Sequence, residues 1–171
     1  MPATTNWSKT NKPMTTQRAE GIDALNAAIA GMAAGASRHL SCFVPALDAA
    51  LWSSPAFIDT LRGFATADSR RAARVLLVET EGLLRDHPAL VTLAQRLPSL
   101  ILLRQTNADF APPATQGFMV DDRGRLLLFD SGAPLAATFS DGGQHARPLA
   151  GRFDEAWERA RPMAELRALG I

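Results

Sequence analysis

The sequence predicts an α/β fold: a mixed, mainly parallel sheet flanked by helices on both faces. Three observations carry this. Short apolar runs alternate with helical patterns through the first hundred residues, the order of parallel strands joined by crossover helices. One run, Val75-Leu76-Leu77-Val78, is continuously apolar, as expected of a strand covered on both faces. Further on, Asp121-Asp122-Arg123-Gly124 separates two apolar runs, so a tight turn and an antiparallel pair join the sheet.

Residues 1–16 read as a disordered polar leader rich in Thr, Asn and Pro, holding both lysines, Lys9 and Lys12. Residues 17–171 then read as one domain. The first helix is expected over residues 17–37, where Ile22, Leu25, Ile29 and Met32 recur at three- and four-residue spacing. Residues 39–44 form a short apolar strand that Pro45 ends. Ser54 is an N-cap and Pro55 the first helical residue of a helix carrying Ile58, Leu61 and Phe64. Residues 74–79 make the second strand. Asp86-His87-Pro88 starts another helix, with Leu90, Leu93 and Leu97 as its stripe and Pro98 as its stop. Residues 100–104 are the third strand, and a proline-containing loop follows over 105–115. Strands are expected at 117–120, 126–129 and 135–139. A last helix over 151–161 places Phe153, Ala156, Trp157 and Ala160 on one stripe.

Composition excludes several function classes. The chain of 171 residues is 47% apolar and 20% charged, ordinary for a soluble globular domain. A single cysteine, Cys42, excludes an internal disulfide, and its apolar setting predicts a buried, inert thiol. No window approaches the roughly 20 apolar residues of a membrane span. With no signal-peptide-length apolar core either, a cytoplasmic location is expected. From residue 17 onward sixteen arginines face all seventeen acids, a balance of −1, so general nucleic-acid binding is not favoured. Only a one-sided distribution of the arginines would revive it.

No metal site and no cofactor is implied. His39, His87 and His145 stand without other ligands at metal spacing. Glycine-rich phosphate loops and a G-x-S-x-G elbow are absent; Asp130-Ser131-Gly132 reads as a turn. One constellation remains. Ligands of open α/β sheets bind beyond the carboxyl ends of parallel strands. The polar residues expected there are Asp48, Glu79 and Arg104, which could take a cationic or mixed-charge ligand.

The element order resembles one half of the phospholipase D superfamily, in a degenerate bacterial branch without assigned function. Residues 38–45 resemble its first strand, and residues 100–104 the strand before its motif. Phe118-Met119-Val120-Asp121 resembles the apolar segment ending in the aspartate of H-x-K-x4-D, and Phe153 with Trp157 resembles the aromatic pair of the closing helix. With Asp121 as that aspartate, Ala114 stands at the histidine and Gln116 at the lysine; with Asp122, Thr115 and Gly117 stand there. The family's histidine attacks phosphorus and its lysine holds the phosphate oxygens. The resemblance therefore implies the fold and a two-fold pairing of copies, but no catalytic residue. The leading expectation is a non-catalytic binding or regulatory module, acting as a homodimer or with a protein partner. The alternatives are a small-molecule enzyme built on Asp48, Glu79 and Arg104, and a nucleic-acid accessory domain.

Overall fold

The computed structural model describes residues 15–113, 116–130, 133, 135–163 and 166. The strands are β1 (Thr15–Glu20), β2 (His39–Val44), β3 (Ala72–Leu77), β4 (Ile101–Gln105), β5 (Phe118–Asp121), β6 (Arg125–Phe129), β7 (Ala136–Asp141) and β8 (Arg161–Pro162). The helices are α1 (Ile22–Gly35), α2 (Ala49–Trp52), α3 (Pro55–Ala67), α4 (Leu83–Asp86), α5 (Pro88–Arg96) and α6 (Ala146–Arg159). The strands form one sheet in the order β1-β7-β6-β5-β2-β3-β4-β8.

The mixed sheet agrees with expectation, but its balance differs. Only β2-β3 and β3-β4 are parallel; the other described pairs are antiparallel. The parallel part is where helical crossovers return the chain to the same end of the sheet. The antiparallel part grows from the turn after Asp121 and from two strands with little sequence signal, β1 and β8.

β1 corrects the expectation of a helix from residue 17. It is an edge strand with Ala19 as its one buried residue, so no apolar alternation marks it. Its partner β7 defines it, with Gln17 opposite Phe139. Gly21 then turns the chain at φ +86°, donating to the Leu135 carbonyl at 2.8 Å, and α1 starts one residue later. Thr15 and Thr16, expected in the leader, belong to this strand; residues 1–14 lie outside the described residues, as do Ser131 and Gly132 of the expected turn. The closing helix also starts earlier than residue 151, at Ala146.

Period-two alternation gives the sheet two apolar faces. Leu40, Cys42 and Val44 of β2, with Val75 and Leu77 of β3, face α1, α3 and α5. Phe43, Leu76, Phe118, Val120 and Leu126 face α6 through Phe153, Ala156 and Trp157. Phe153 and Trp157 stack with centroids 5.7 Å apart and planes 16° from parallel. Ser54 caps α3, accepting from the Phe57 N–H at 3.3 Å, as its sequence position predicts. Cys42 is buried, and burial pushes its thiol far above the ordinary range, so it carries no thiolate chemistry.

Candidate functional site

The stretch that resembles the phospholipase D motif runs the length of β5. At its start, Gly117 is buried with φ +91° and passes hard against β2: a Cβ there would lie 2.1 Å from the Phe43 carbonyl oxygen. Gln116 beside it is exposed; Ala114 and Thr115 lie outside the described residues. At its end, four residues on, Asp121 is wholly engaged. Its Oδ1 accepts from the N–H groups of Arg123 (2.9 Å) and Arg125 (3.0 Å), and its Oδ2 accepts from Arg125 Nε at 2.6 Å. Arg125 in turn donates to the Met32 carbonyl at the end of α1 at 2.7 Å. Asp121 therefore closes the β5–β6 turn and ties it to α1. It faces the opposite end of the sheet from Gly117.

An open cleft of about 670 Å³ lies at the Gly117 end. Phe43 and Pro45 at the end of β2, Val78 after β3, Pro112, Leu128 and Leu149 line it. Among the described residues, no charged, histidine or hydroxyl side chain lines this cleft. Leu128 is 39% exposed, and Phe110 nearby is 48% exposed with the Arg159 guanidinium 5.0 Å over its ring.

The residues expected at the strand ends are dispersed. Asp48 is the N-cap of α2, accepting from the Ala50 N–H at 2.8 Å. Arg104 lies under α6: its guanidinium sits 4.4 Å over the Trp157 ring and donates to the Trp157 carbonyl at 2.9 Å. Glu79 is exposed beyond β3, at a small cavity of about 100 Å³ with Glu81, Asp86 and His87. No hydrogen bond or ion pair joins any two of the three. His87, read from sequence only as a helix start, is buried with its Nδ1 2.6 Å from Ser53 Oγ. That contact joins residues 34 apart, so no local pattern announces it. Among the described residues no group of three or more His, Cys, Asp or Glu side chains is placed to hold a metal ion.

The two ends of the sheet differ in the charged residues they carry. The cleft end bears Asp48, Glu79, Glu81 and Asp109 on loops or at a helix cap and Asp86 at the end of α4, with Arg85 bound to Asp86. The other end bears Arg38, Arg70, Arg71, Arg123 and Arg147. Asp68 there is held by the Arg70 side chain and N–H, which lower its carboxyl to about 2. Partial burial pushes the Asp122 carboxyl up, but bonds from the N–H groups of Ser37 and Arg38 outweigh it and hold it below the ordinary range.

Residues 21–169 match the family described as Domain of unknown function (DUF7931). The chain belongs to this family. No curated protein matches it in sequence. Solved structures do match in fold. Nuc from Salmonella typhimurium, a phospholipase D family member, superposes with TM-score 0.63 at 13% identity, over 88% of this chain and 99% of that one. NucT from Helicobacter pylori superposes with TM-score 0.61 at 8% identity, over 88% and 100%. TrmBL2, an archaeal chromatin protein whose structure shows a novel mode of DNA binding, gives TM-score 0.56 at 12% identity, over 87% of this chain and 55% of its own. The DUF7931 chain thus spans about half of TrmBL2 and nearly all of Nuc and NucT. At these identities the likeness is one of fold: the DUF7931 domain here is phospholipase D-like. No helix among the described residues is long and apolar enough to cross a membrane.

Proposed function

We propose that this chain is a non-catalytic phospholipase D-like module whose cleft binds rather than cleaves, with a second copy of the chain as its occupant. The observation that carries this is the cleft wall. At the motif positions the sequence sets Ala114 or Thr115 for the nucleophile and Gln116 or Gly117 for the phosphate-holding cation, and the described wall of the cleft at that end includes Phe43, Pro45, Val78 and Leu128. Displacement at phosphorus needs a nucleophile and groups that neutralise developing charge. The apolar described wall of the cleft offers neither to a phosphodiester. Exposed Leu128 and Phe110 beside it favour a covered surface, and two-fold closure would cover it on both copies at once.

Two measurements test this. Hydrolysis of bis(p-nitrophenyl) phosphate and of phosphatidylcholine should stay at the buffer rate; turnover abolished by one side-chain change would overturn the non-catalytic reading. Sedimentation equilibrium should give twice the 18.3 kDa chain mass. A lone 18.3 kDa species at all concentrations would count against pairing. An enzyme centred on Asp48, Glu79 and Arg104 draws less support, because Asp48 and Arg104 already serve α2 and α6.

A further inference from the structure

We propose that the edge of the sheet opposite the cleft is a binding site for the phosphate backbone of a nucleic acid. Strand register places the residues. β2 and β3 run parallel with His39 beside Ala72, and the Ala72 N–H donates to the Arg38 carbonyl at 2.8 Å. Arg38 therefore stands next to Arg71. β5 pairs with β2 on its other side, with Leu40 beside Asp121. This brings the turn after β5 against residues 37 and 38, where Arg123 Nε donates to Ser37 Oγ at 2.9 Å. The same turn touches the start of α6: a Cβ on Gly124 would be 3.2 Å from Gly143, and one on Gly143 would be 3.6 Å from Arg147 Nε. The order along the edge is Arg71, Arg38, Arg123, Arg147. At a strand spacing of about 4.8 Å the row extends roughly 15 Å.

No ion pair joins any of these four arginines to Asp68, Asp121 or Asp122. The acids at this edge have other work. Asp68 is bound by Arg70, Asp121 by Arg125, and Asp122 by two backbone N–H groups. Asp141 shares an open basin of about 550 Å³ with Ser37, Arg123 and Arg125. Arg38, Arg123 and Arg147 are exposed, while Arg71 is held by its stack 5.2 Å over Phe64, with its Nε buried and unbonded. A line of four guanidiniums matches a linear polyanion: duplex DNA carries one charge per about 1.7 Å of axis, and Arg forks fit phosphate oxygens. The chain's small net charge does not oppose this, because screening over about 10 Å makes the local edge decisive. This site is remote from the cleft, so it stands or falls independently of catalysis and pairing.

The test is fluorescence anisotropy of a labelled DNA duplex titrated with the full chain over a salt series. Binding should weaken with a log–log salt slope of roughly −3, and Arg38→Gln and Arg123→Gln should each reduce that slope by about one. Arg62→Gln, on α3 and paired with Asp59, should leave it unchanged. Melting curves of the variants should overlay the parent, since both altered side chains are exposed. Absence of binding at about 50 mM salt would overturn the proposal. So would a slope indifferent to both variants. Equal binding to phosphatidylglycerol vesicles through the same two arginines would assign the edge to membrane surfaces instead, and would also overturn it.

Discussion

The two ends of β5 sit only three residues apart and are built in opposite ways. At the Asp121 end every polar group is bonded: a buried carboxylate, two turn amides, Arg125 and the last carbonyls of α1 form one network. At the Gly117 end the chain contributes a bare Cα, proline-rich loop and an apolar cleft. The two ends of one strand in this phospholipase D-like fold therefore differ in what they contribute. The aspartate that most resembles a motif residue acts as a structural tie, and Gly117, at one of the two lysine positions, packs against the Phe43 carbonyl.

The sharpest way to break this contrast is Asp121→Ala. Removing one partner of a buried charge pair leaves Arg125 uncompensated and costs about 3–5 kcal/mol. Urea unfolding should show that loss, with the slope of the transition preserved. Gly117→Ala tests the other end. It forces a Cβ into the Phe43 carbonyl at a positive φ, and should cost about 3 kcal/mol by the same measurement. A loss below about 1 kcal/mol would mean that β5 can move away from β2 at the cleft.

Much of this architecture is legible in the sequence, and the exceptions have physical causes. β2, β3 and β4 announce themselves because burial on both faces demands continuous apolar runs. α3 does so because Ser54 and Pro55 are local start signals. β1 is silent because an exposed edge strand needs only backbone pairing, and Thr15 to Arg18 show no apolar alternation. The strand-end residues are a related case. Sequence places Asp48 and Arg104 at strand ends, but cannot show that a helix amide and the Trp157 ring claim them first. The row of arginines escaped because its members come from three separate loops and the start of α6, which only the folded sheet aligns.

A smaller effect distinguishes the ends by pH. The Asp122 carboxyl is held below its unfolded value, so its contribution is fully present above the unfolded pKa of about 3.9 and is lost as pH falls through the folded value. Asp122→Asn should therefore be less stable than the parent at neutral pH. The gap should close on acidification, because the parent loses what the variant already lacks. Urea midpoints compared at neutral pH and near pH 3 check this. A gap that stays constant would mean the Ser37 and Arg38 amides do not distinguish carboxylate from amide.

The smallest expected change in stability belongs to the cleft, and it carries the most functional information. Leu128 is on β6 with its side chain partly exposed on the cleft wall, so Leu128→Arg removes little buried contact and should alter unfolding free energy by within about 0.5 kcal/mol. In a paired chain the consequence is different. A guanidinium from each copy would enter an apolar contact without a partner, and two-fold symmetry would apply the penalty twice. Sedimentation should then shift from the paired mass to the single-chain mass with the melting curve nearly unmoved. If instead the variant remains paired, Leu128 is outside the contact and the cleft is not the joining surface. If it melts early, Leu128 supports the fold more than its exposure indicates. Only loss of pairing with retained stability marks an end of the sheet kept for association while the other is kept for structure.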